Sequence, residues 1–249
     1  METNSVDYNV LAGDYAQNRS AHPLLLARLI SPAPQWLAPR VLEIGCGTCN
    51  YIGRLQMPTG CAAYGVDPSS AMLAAARARW PAVVVEEGRG ENLPYVDGEF
   101  DYTYCVDVIH HVRDAATMIR EAYRVLAPQG LFAVATDSER IIATRCPLAV
   151  YWPETVALEL QRYHPIAELL GWLVAAGFID LREETVEYAY SLESAATYRV
   201  RAFSSLQLLP DEVFARGLAK LEADLVAGPV PCVSRYTLLW ARKPAHESV

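Results

Sequence analysis

Short apolar runs alternate with amphipathic segments along most of the chain. The amphipathic segments, at about 50–56, 70–79 and 115–127, repeat their apolar residues with helical spacing. Apolar runs with the length of buried strands lie at about 41–46, 62–67, 83–85, 100–106, 131–136 and 178–188, with an alternating run at 234–242. The pattern predicts an α/β fold in which helices connect the strands of a mostly parallel sheet.

The first apolar run ends abruptly in a glycine turn within the sequence VLEIGCGTCN, residues 41–50. Gly45 and Gly47 permit positive φ angles and the close approach of a ligand to the backbone. Asp67 ends the next apolar run, 20 residues after Gly47. At the tip of the neighbouring strand of a doubly wound sheet, its carboxylate can accept hydrogen bonds from both hydroxyls of a ribose. These features together predict a site for a nucleotide-containing cofactor.

Glu43 narrows the kind of cofactor, because it lies two positions before the first glycine of the turn. A dinucleotide would place its pyrophosphate at the helix N-terminus that follows such a turn. A carboxylate there would repel the pyrophosphate, whereas it suits a cofactor that carries an ammonium or sulfonium cation.

Four motifs, taken in order, resemble those of a known family. VLEIGCGTCN, YGVDPSSAML, GRGENLPYVDGEFDYTYCVDVIHHV and EAYRVLAPQG are similar to the successive motifs of class I S-adenosylmethionine-dependent methyltransferases. The likeness is to the ubiquinone/menaquinone-biosynthesis-like group (methyltransferase type 11), and it covers residues 8–138 well and the rest loosely. It implies S-adenosylmethionine as cofactor and a small-molecule acceptor. It also implies a Rossmann-like, seven-stranded, mostly parallel sheet with helices on both faces and a helical cap inserted around strand six.

The resemblance implies cofactor contacts at each motif. Tyr15 and Arg19 match a lead-in segment and can pair with the cofactor carboxylate, although a simple packing helix explains them equally well. Met72 can cover one face of the adenine or pack in the core. The full set of implied cofactor residues is Tyr15, Arg19, Glu43, Gly45, Cys46, Gly47, Asp67, Pro68, Met72, Gly90, Glu91, Cys105 and Val106.

Two positions depart from the family pattern. Arg89 stands where an aspartate usually accepts a hydrogen bond from adenine, and arginine has no acceptor, so it is expected to be a solvated surface residue. Cys49 replaces the third glycine of the turn. Because a cysteine at positive φ is strained, we expect either a shifted turn or a helix that has already begun at Thr48.

His110 and His111 follow the fourth strand, at the carboxyl end where ligands bind in open α/β sheets. Either imidazole can take a proton from a hydroxyl or thiol acceptor. Local packing and hydrogen bonding are the alternative, since methyl transfer needs a base only when the acceptor starts protonated.

Outside the core motifs, the sequence predicts three parts: an N-terminal helical lid segment (1–38), the cofactor-binding core (39–138) and a C-terminal part (139–249). Two insertions, about 139–164 and 191–231, are expected to pack together as a cap over the catalytic pocket. The candidate acceptor contacts are Tyr151, Trp152, His164 and Arg199. Aromatic residues suggest an apolar or planar acceptor, but the same residues can form the cap's own core.

The chain carries a net charge of −8 without a basic cluster, which argues against nucleic acid, whose phosphates require positive charge. No apolar run approaches about 18 residues, so no membrane span is expected. The first residues, METNSVDYNV, lack the features of a signal peptide, which favours a cytoplasmic protein. The oligomeric state stays open, with a homodimer among the alternatives.

Six scattered cysteines are expected to be free buried thiols. Cys46 and Cys49 form a C-x-x-C spacing that can indicate redox chemistry, but they lie in the cofactor turn and no second pair exists for a zinc site. We therefore expect no metal. A thiol or metalloid acceptor, and a non-catalytic scaffold that keeps the fold, remain as alternative functions; inward-pointing cysteines would favour the former.

Overall fold

The computed structural model describes residues 21–245, and its central feature is a seven-stranded sheet. The strands are β1 (Arg40–Ile44), β2 (Ala62–Asp67), β3 (Val84–Glu87), β4 (Phe100–Val106), β5 (Leu126–Thr136), β6 (Ile179–Leu192) and β7 (Val230–Arg242). They lie in the order β3-β2-β1-β4-β5-β7-β6. The pairs β3–β2, β2–β1, β1–β4 and β4–β5 are parallel. The predicted α/β, Rossmann-like fold class is confirmed.

Helices connect the strands in the described part of the chain. They are α1 (Pro23–Ile30), α2 (Ile52–Thr59), α3 (Ser70–Arg79), α4 (Ala115–Val125), α5 (Glu139–Thr144), α6 (Leu148–Tyr151), α7 (Glu154–Leu160), α8 (Ile166–Ala175), α9 (Ala196–Arg199), α10 (Ser204–Gln207) and α11 (Asp211–Ala227). Strand order reverses between β1 and β4, and open sheets of this kind bind ligands beyond the carboxyl ends of the strands at that reversal.

Aromatic residues fill the centre of the sheet. Tyr102 of β4 is fully buried and lies between the rings of Trp36 and Trp240, with ring centroids 6.2 and 6.3 Å away. β4 is covered by packed side chains and is buried along almost its whole length, which explains its nearly continuous apolar sequence. This core fixes the position of the strand ends that carry the candidate site.

The boundary between α4 and β5 differs from the prediction. The amphipathic pattern predicts a helix over about 115–127, which Pro128-Gln129-Gly130 would stop, but the helix ends at Val125 and these three residues already belong to β5. The reason is pairing with a distant part of the chain. The Gln129 N–H donates to the Lys243 carbonyl at 3.1 Å, and the Lys243 N–H donates to the Gly130 carbonyl at 2.9 Å.

The structure divides into two units, each with its own packing. Of the described residues, the first unit comprises 21–136, 167–184 and 238–245, and the second comprises 137–166 and 185–237. The second unit has a core of eight buried residues, and Trp152 is the largest of them, with no exposed surface. The domain boundaries and the cap arrangement inferred from the sequence stay predictions.

Candidate functional site

The glycine turn lies at the carboxyl end of β1 and has the left-handed backbone that glycine permits, with φ of 71° at Gly45 and 50° at Gly47. The N–H groups of Gly45 and Cys46 both donate to the Val66 carbonyl, at 2.8 and 3.0 Å. A Cβ on Gly45 would lie 2.4 Å from a methyl group of Val108, whereas a Cβ on Gly47 would meet no atom of residues 21–245 within 4 Å. Gly45 is therefore required by packing, while Gly47 borders open space that a ligand can approach.

Asp67 is joined directly to this turn. One carboxylate oxygen accepts from the Gly47 N–H and the other from the Ser69 N–H, both at 2.9 Å. Burial raises the pKa of Asp67 above its usual range, although the two backbone hydrogen bonds act in the opposite direction. Each carboxylate oxygen has further acceptor capacity. The carboxyl group is thus held in place at the tip of β2 and can still accept hydrogen bonds from a ligand.

Glu43 has a different position from the one expected for a residue that contacts a cation. Its carboxyl group accepts from the N–H of Ile52, the first residue of α2, at 2.9 Å and from the Tyr104 hydroxyl at 3.4 Å. It is 3% exposed, and burial raises its pKa to about 8. At neutral pH the group is mostly uncharged, so in this structure it positions α2 behind the glycine turn. Direct contact with a cation stays a prediction.

Cys49 departs from both alternatives expected from the sequence. The helix begins at Ile52, not Thr48, and Cys49 itself has a φ of 59°. Its N–H donates to the Cys46 carbonyl at 2.8 Å, which closes a turn and holds the residue in this strained conformation. The third position of the glycine turn is therefore left-handed even without glycine.

The thiols near the site are packed inward. A Cβ on Gly65 would lie 2.7 Å from the Cys46 sulfur and 3.4 Å from the Cys49 sulfur, so both side chains occupy the space beside that glycine. The hydrogen bond with Cys49, and then burial, raises the pKa of Cys46 well above its usual range. Cys105 is fully buried, and burial raises its pKa as well. Protonated, buried thiols of this kind are poor nucleophiles.

The loop expected to receive adenine is held by polar and apolar contacts. Gly90 packs against Met118 and Ile44, and Glu91 accepts from the Arg113 N–H at 2.8 Å. Arg89 is exposed, as predicted. The remaining predicted residues in this region differ in exposure: Met72 and Cys105 are buried, Val106 is 9% exposed, and Pro68 is exposed.

His110 and His111 lie in the turn after β4, with ring centroids 4.0 Å apart. The His111 N–H donates to the Val108 carbonyl at 2.8 Å. The sequence reasoning missed the residue that starts this turn, Asp107, which has a φ of 56° and donates its N–H to the Ala135 carbonyl at 3.0 Å. An aspartate directly after a buried strand was the available signal, because aspartate tolerates left-handed backbone.

The candidate acceptor contacts fall in the second unit. Trp152 stacks on Tyr198 and Phe214 and donates its indole N–H to the Phe214 carbonyl at 3.0 Å. Tyr151 is 6% exposed and donates its hydroxyl to Asp224 at 2.7 Å. These two aromatics therefore form the unit's own core, the alternative left open from the sequence, and Trp152 has no surface with which to contact an acceptor.

The other predicted positions are more accessible or lie outside the described residues. The Arg199 guanidinium pairs with Glu222 at 2.6 Å and remains more than half exposed, and His164 is half-buried. Tyr15 and Arg19 precede residue 21 and so are not described. Among residues 21–245, no cluster of side chains could hold a metal ion. In the same range, no helix is long and apolar enough to cross a membrane.

Comparison with known proteins places this geometry in a class. Residues 42–134, which contain the glycine turn, Asp67 and both histidines, match the model of a methyltransferase domain. The 27-O-demethylrifamycin SV methyltransferase of Amycolatopsis mediterranei is 31% identical over an alignment of 210 positions, and the match covers 72% of this chain and 77% of that protein. A probable S-adenosylmethionine-dependent methyltransferase of Mycolicibacterium smegmatis is 38% identical over 98 residues. That match spans only 39% of this chain and 38% of the relative's length.

A solved structure shares the fold. Phosphoethanolamine N-methyltransferase 2 of Haemonchus contortus, in complex with phosphomonomethylethanolamine and S-adenosylhomocysteine, has a TM-score of 0.62 at 17% identity. The match covers 95% of this chain and 57% of that one. The chain is thus built as a class I methyltransferase, and it belongs to the S-adenosylmethionine-dependent methyltransferases of type 11.

The residues present fit that family's cofactor. Among the residues that the structure describes, none fills the space at Gly47 beside the Asp67 carboxylate at the end of β2, where a ribose can be bound. The N–H groups of Gly45, Cys46 and Gly47 are all used within the protein. These N–H groups therefore hold the turn itself, and the role of its backbone toward the cofactor's amino-acid portion stays a prediction.

Proposed function

We propose that the protein is an S-adenosylmethionine-dependent methyltransferase that transfers a methyl group to a small-molecule acceptor by in-line displacement. The observation that carries the proposal is the Asp67 carboxylate at the end of β2, fixed at 2.9 Å by the Gly47 N–H of the turn that follows β1. Family membership and the small-molecule methyltransferase among its relatives, named for a rifamycin, support it.

When bound, S-adenosylmethionine supplies an electrophilic methyl group on a sulfonium. The chain's own residues then have three tasks: to bind, to orient and to exclude water. Asp67 would accept from the ribose hydroxyls, and the backbone at Gly45–Gly47 would receive the amino-acid portion. If the acceptor starts protonated, His110 or His111 accepts its proton, since both lie at the carboxyl end of β4.

The acceptor is proposed to be a small organic molecule selected by residues outside the glycine turn. Arg199 and His164 remain the accessible candidates of the original set, and Arg199 would suit an acceptor with a carboxylate. Tyr15 and Arg19 keep their proposed role as partners of the cofactor carboxylate. A cytoplasmic location and a possible homodimer belong to the same proposal.

A thiol or metalloid acceptor has less support. That alternative requires cysteine side chains that face the ligand, but the sulfurs of Cys46 and Cys49 lie against Gly65, and Cys105 is fully buried. A non-catalytic scaffold would lack cofactor binding, and the direct test of the proposal decides this point as well.

The test is calorimetric titration of the wild type, Asp67→Ala and Asp101→Ala with S-adenosylmethionine and S-adenosylhomocysteine. Asp101 is a matched control because its carboxylate also accepts a backbone N–H, that of Arg40, at 2.9 Å. It lies at the amino end of β4, whereas the site is at the carboxyl ends. Each lost hydrogen bond to a charged group costs about 1.5–3 kcal/mol, so losing both ribose contacts should weaken binding about 100-fold or more in Asp67→Ala.

Asp101→Ala should bind with wild-type affinity. Absence of binding by the wild type would reject the methyltransferase assignment, and equal binding by Asp67→Ala would reject the role of Asp67. Once binding is established, transfer of a labelled methyl group to a panel of small-molecule phenols, amines and carboxylic acids tests the acceptor class. Labelling of a protein or nucleic acid instead would reject the small-molecule proposal.

A further inference from the structure

Two cysteines of the second unit lie in direct contact, although 86 positions separate them in the sequence. The Sγ atoms of Cys146 and Cys232 are 2.8 Å apart. Cys146 lies between α5 and α6, and Cys232 is the third residue of β7. The Cys146 thiol also lies 3.7 Å from the Pro231 carbonyl. The contact therefore joins the two separate stretches of chain that make up the second unit.

The distance between the two sulfurs is close to that of a covalent bond. A disulfide has an S–S length of about 2.05 Å, so the sulfurs need to approach by only about 0.8 Å. The other close pair, Cys46 and Cys49, differs because both of its side chains are buried against Gly65, so neither offers a partly exposed sulfur. Cys146 is partly exposed and Cys232 is 3% exposed. A reagent can therefore reach the Cys146 sulfur, while the Cys232 sulfur is buried in contact with it.

We propose that Cys146 and Cys232 are a redox-active pair that closes to a disulfide when the protein meets a low-molecular-weight disulfide, and that the bond fastens the two stretches of the second unit together. This inference does not depend on the proposed function, because it concerns the second unit alone.

The reaction proceeds by two exchanges. The Cys146 thiolate attacks one sulfur of the reagent, forms a mixed disulfide and expels one reagent thiolate. The Cys232 thiolate then attacks the Cys146 sulfur and expels the second reagent thiolate. The two protein thiols lose their protons and are oxidised, and the reagent disulfide is reduced to two thiols.

The surroundings of the pair make its thiols slow to react. Burial, together with the neighbouring Cys232 thiol, raises the pKa of Cys146 to about 12, and the Tyr190 hydroxyl is hydrogen-bonded to Cys232. A thiol with a raised pKa is mostly protonated at neutral pH and reacts slowly. Exchange should therefore take minutes to hours, as uncatalysed disulfide formation commonly does.

The test uses the full-length protein, reduced and then incubated with oxidised glutathione under native conditions. The sample is denatured, alkylated with iodoacetamide and analysed by intact mass and peptide mapping. The wild type should take up four alkyl groups instead of six, and a peptide that links Cys146 to Cys232 should appear. Dithiothreitol should restore six alkyl groups. Uptake of six groups after oxidation, or a link between any other pair, would overturn the proposal.

Two variants separate the steps. Cys232→Ser should retain a stable glutathione adduct on Cys146, because the resolving thiol is gone. Cys61→Ser, which removes another buried thiol, should still form the disulfide.

Closing a loop of this length should raise the melting temperature of the oxidised wild type by about 5 °C or more. If the linked protein melts at the same temperature as the reduced one, the bond does not fasten the unit. The wild-type measurements decide the proposal even if a variant fails to fold.

Discussion

The buried carboxyl group of Glu43 should make the stability of the protein depend on pH in a defined direction. Burial raises its pKa from 4.5 to about 8, although the hydrogen bonds from Ile52 and Tyr104 act to lower it. The folded state therefore keeps a proton that the unfolded chain releases above pH 4.5. The stability contribution is fully present below that pH and is lost as the pH rises to about 8. At about 1.36 kcal/mol per pKa unit, the loss approaches 4–5 kcal/mol.

Glu43→Gln removes this titration, because the amide is neutral and its oxygen can accept from the Ile52 N–H as the carboxyl does. The free energy of unfolding, measured by urea denaturation of cofactor-free protein at pH 5 to 9, should be compared between wild type and variant. Asp67 titrates in both proteins, so its effect largely cancels in the difference. The advantage of the variant should grow by about 1.4 kcal/mol per pH unit up to pH 8 and then level off.

Tyr104→Phe provides a second check on the same group. It removes the hydroxyl that donates to the Glu43 carboxylate at 3.4 Å, so the pKa of Glu43 should rise further. The pH at which the difference in unfolding free energy becomes constant should therefore be higher. A difference between wild type and Glu43→Gln that is flat from pH 5 to 9 would refute the reasoning. It would mean that the folded protein holds Glu43 ionised, as direct contact with a cation requires.

Further predictions concern packing. Gly217→Ala should destabilise by about 1–3 kcal/mol or more, since its Cβ would lie 2.2 Å from the Trp152 indole nitrogen. Gly171→Ala, in a helix with nothing within 4 Å of the new Cβ, should stabilise by about 0.5–1 kcal/mol; chemical denaturation of both variants measures this contrast, and equal effects would contradict it. Lys243→Met should cost about 2–3 kcal/mol, because the ammonium donates to the Tyr123 carbonyl at 2.9 Å and lies over that ring. A melting temperature unchanged from wild type would contradict this last expectation.

The parts of the site that were predictable from the sequence are those set by neighbouring residues. An apolar run followed by glycines predicts a strand and a turn, and the distance from Gly47 to Asp67 matches one helix and one strand. The sequence therefore predicted that these two residues lie at the ends of neighbouring strands, whereas the hydrogen bond between them is seen only in the structure.

Other features depend on residues far apart in the chain. The early start of β5 follows from pairing near Lys243, and nothing in Pro128-Gln129-Gly130 distinguishes this from a helix stop. Trp152 suits an acceptor pocket and a hydrophobic core equally well by composition, and only its stacking on Tyr198 and Phe214 separates the two. The sequence suggested that Glu43 contacts a cation, because it does not show that Ile52 and Tyr104 donate hydrogen bonds to the Glu43 carboxyl group.

The order of strands in the sheet has a consequence for how the protein is made. β6 lies at the edge beside β7, and β7 lies between β6 and β5. During synthesis β6 therefore emerges from the ribosome before the strand that must separate it from β5. The growing chain must either keep the edge of β5 unpaired until β7 is made, or pair β6 with β5 and later separate the two strands. Long-range pairing of this kind slows folding and exposes unpaired strand edges, so we expect chaperones to engage the nascent chain until β7 is complete.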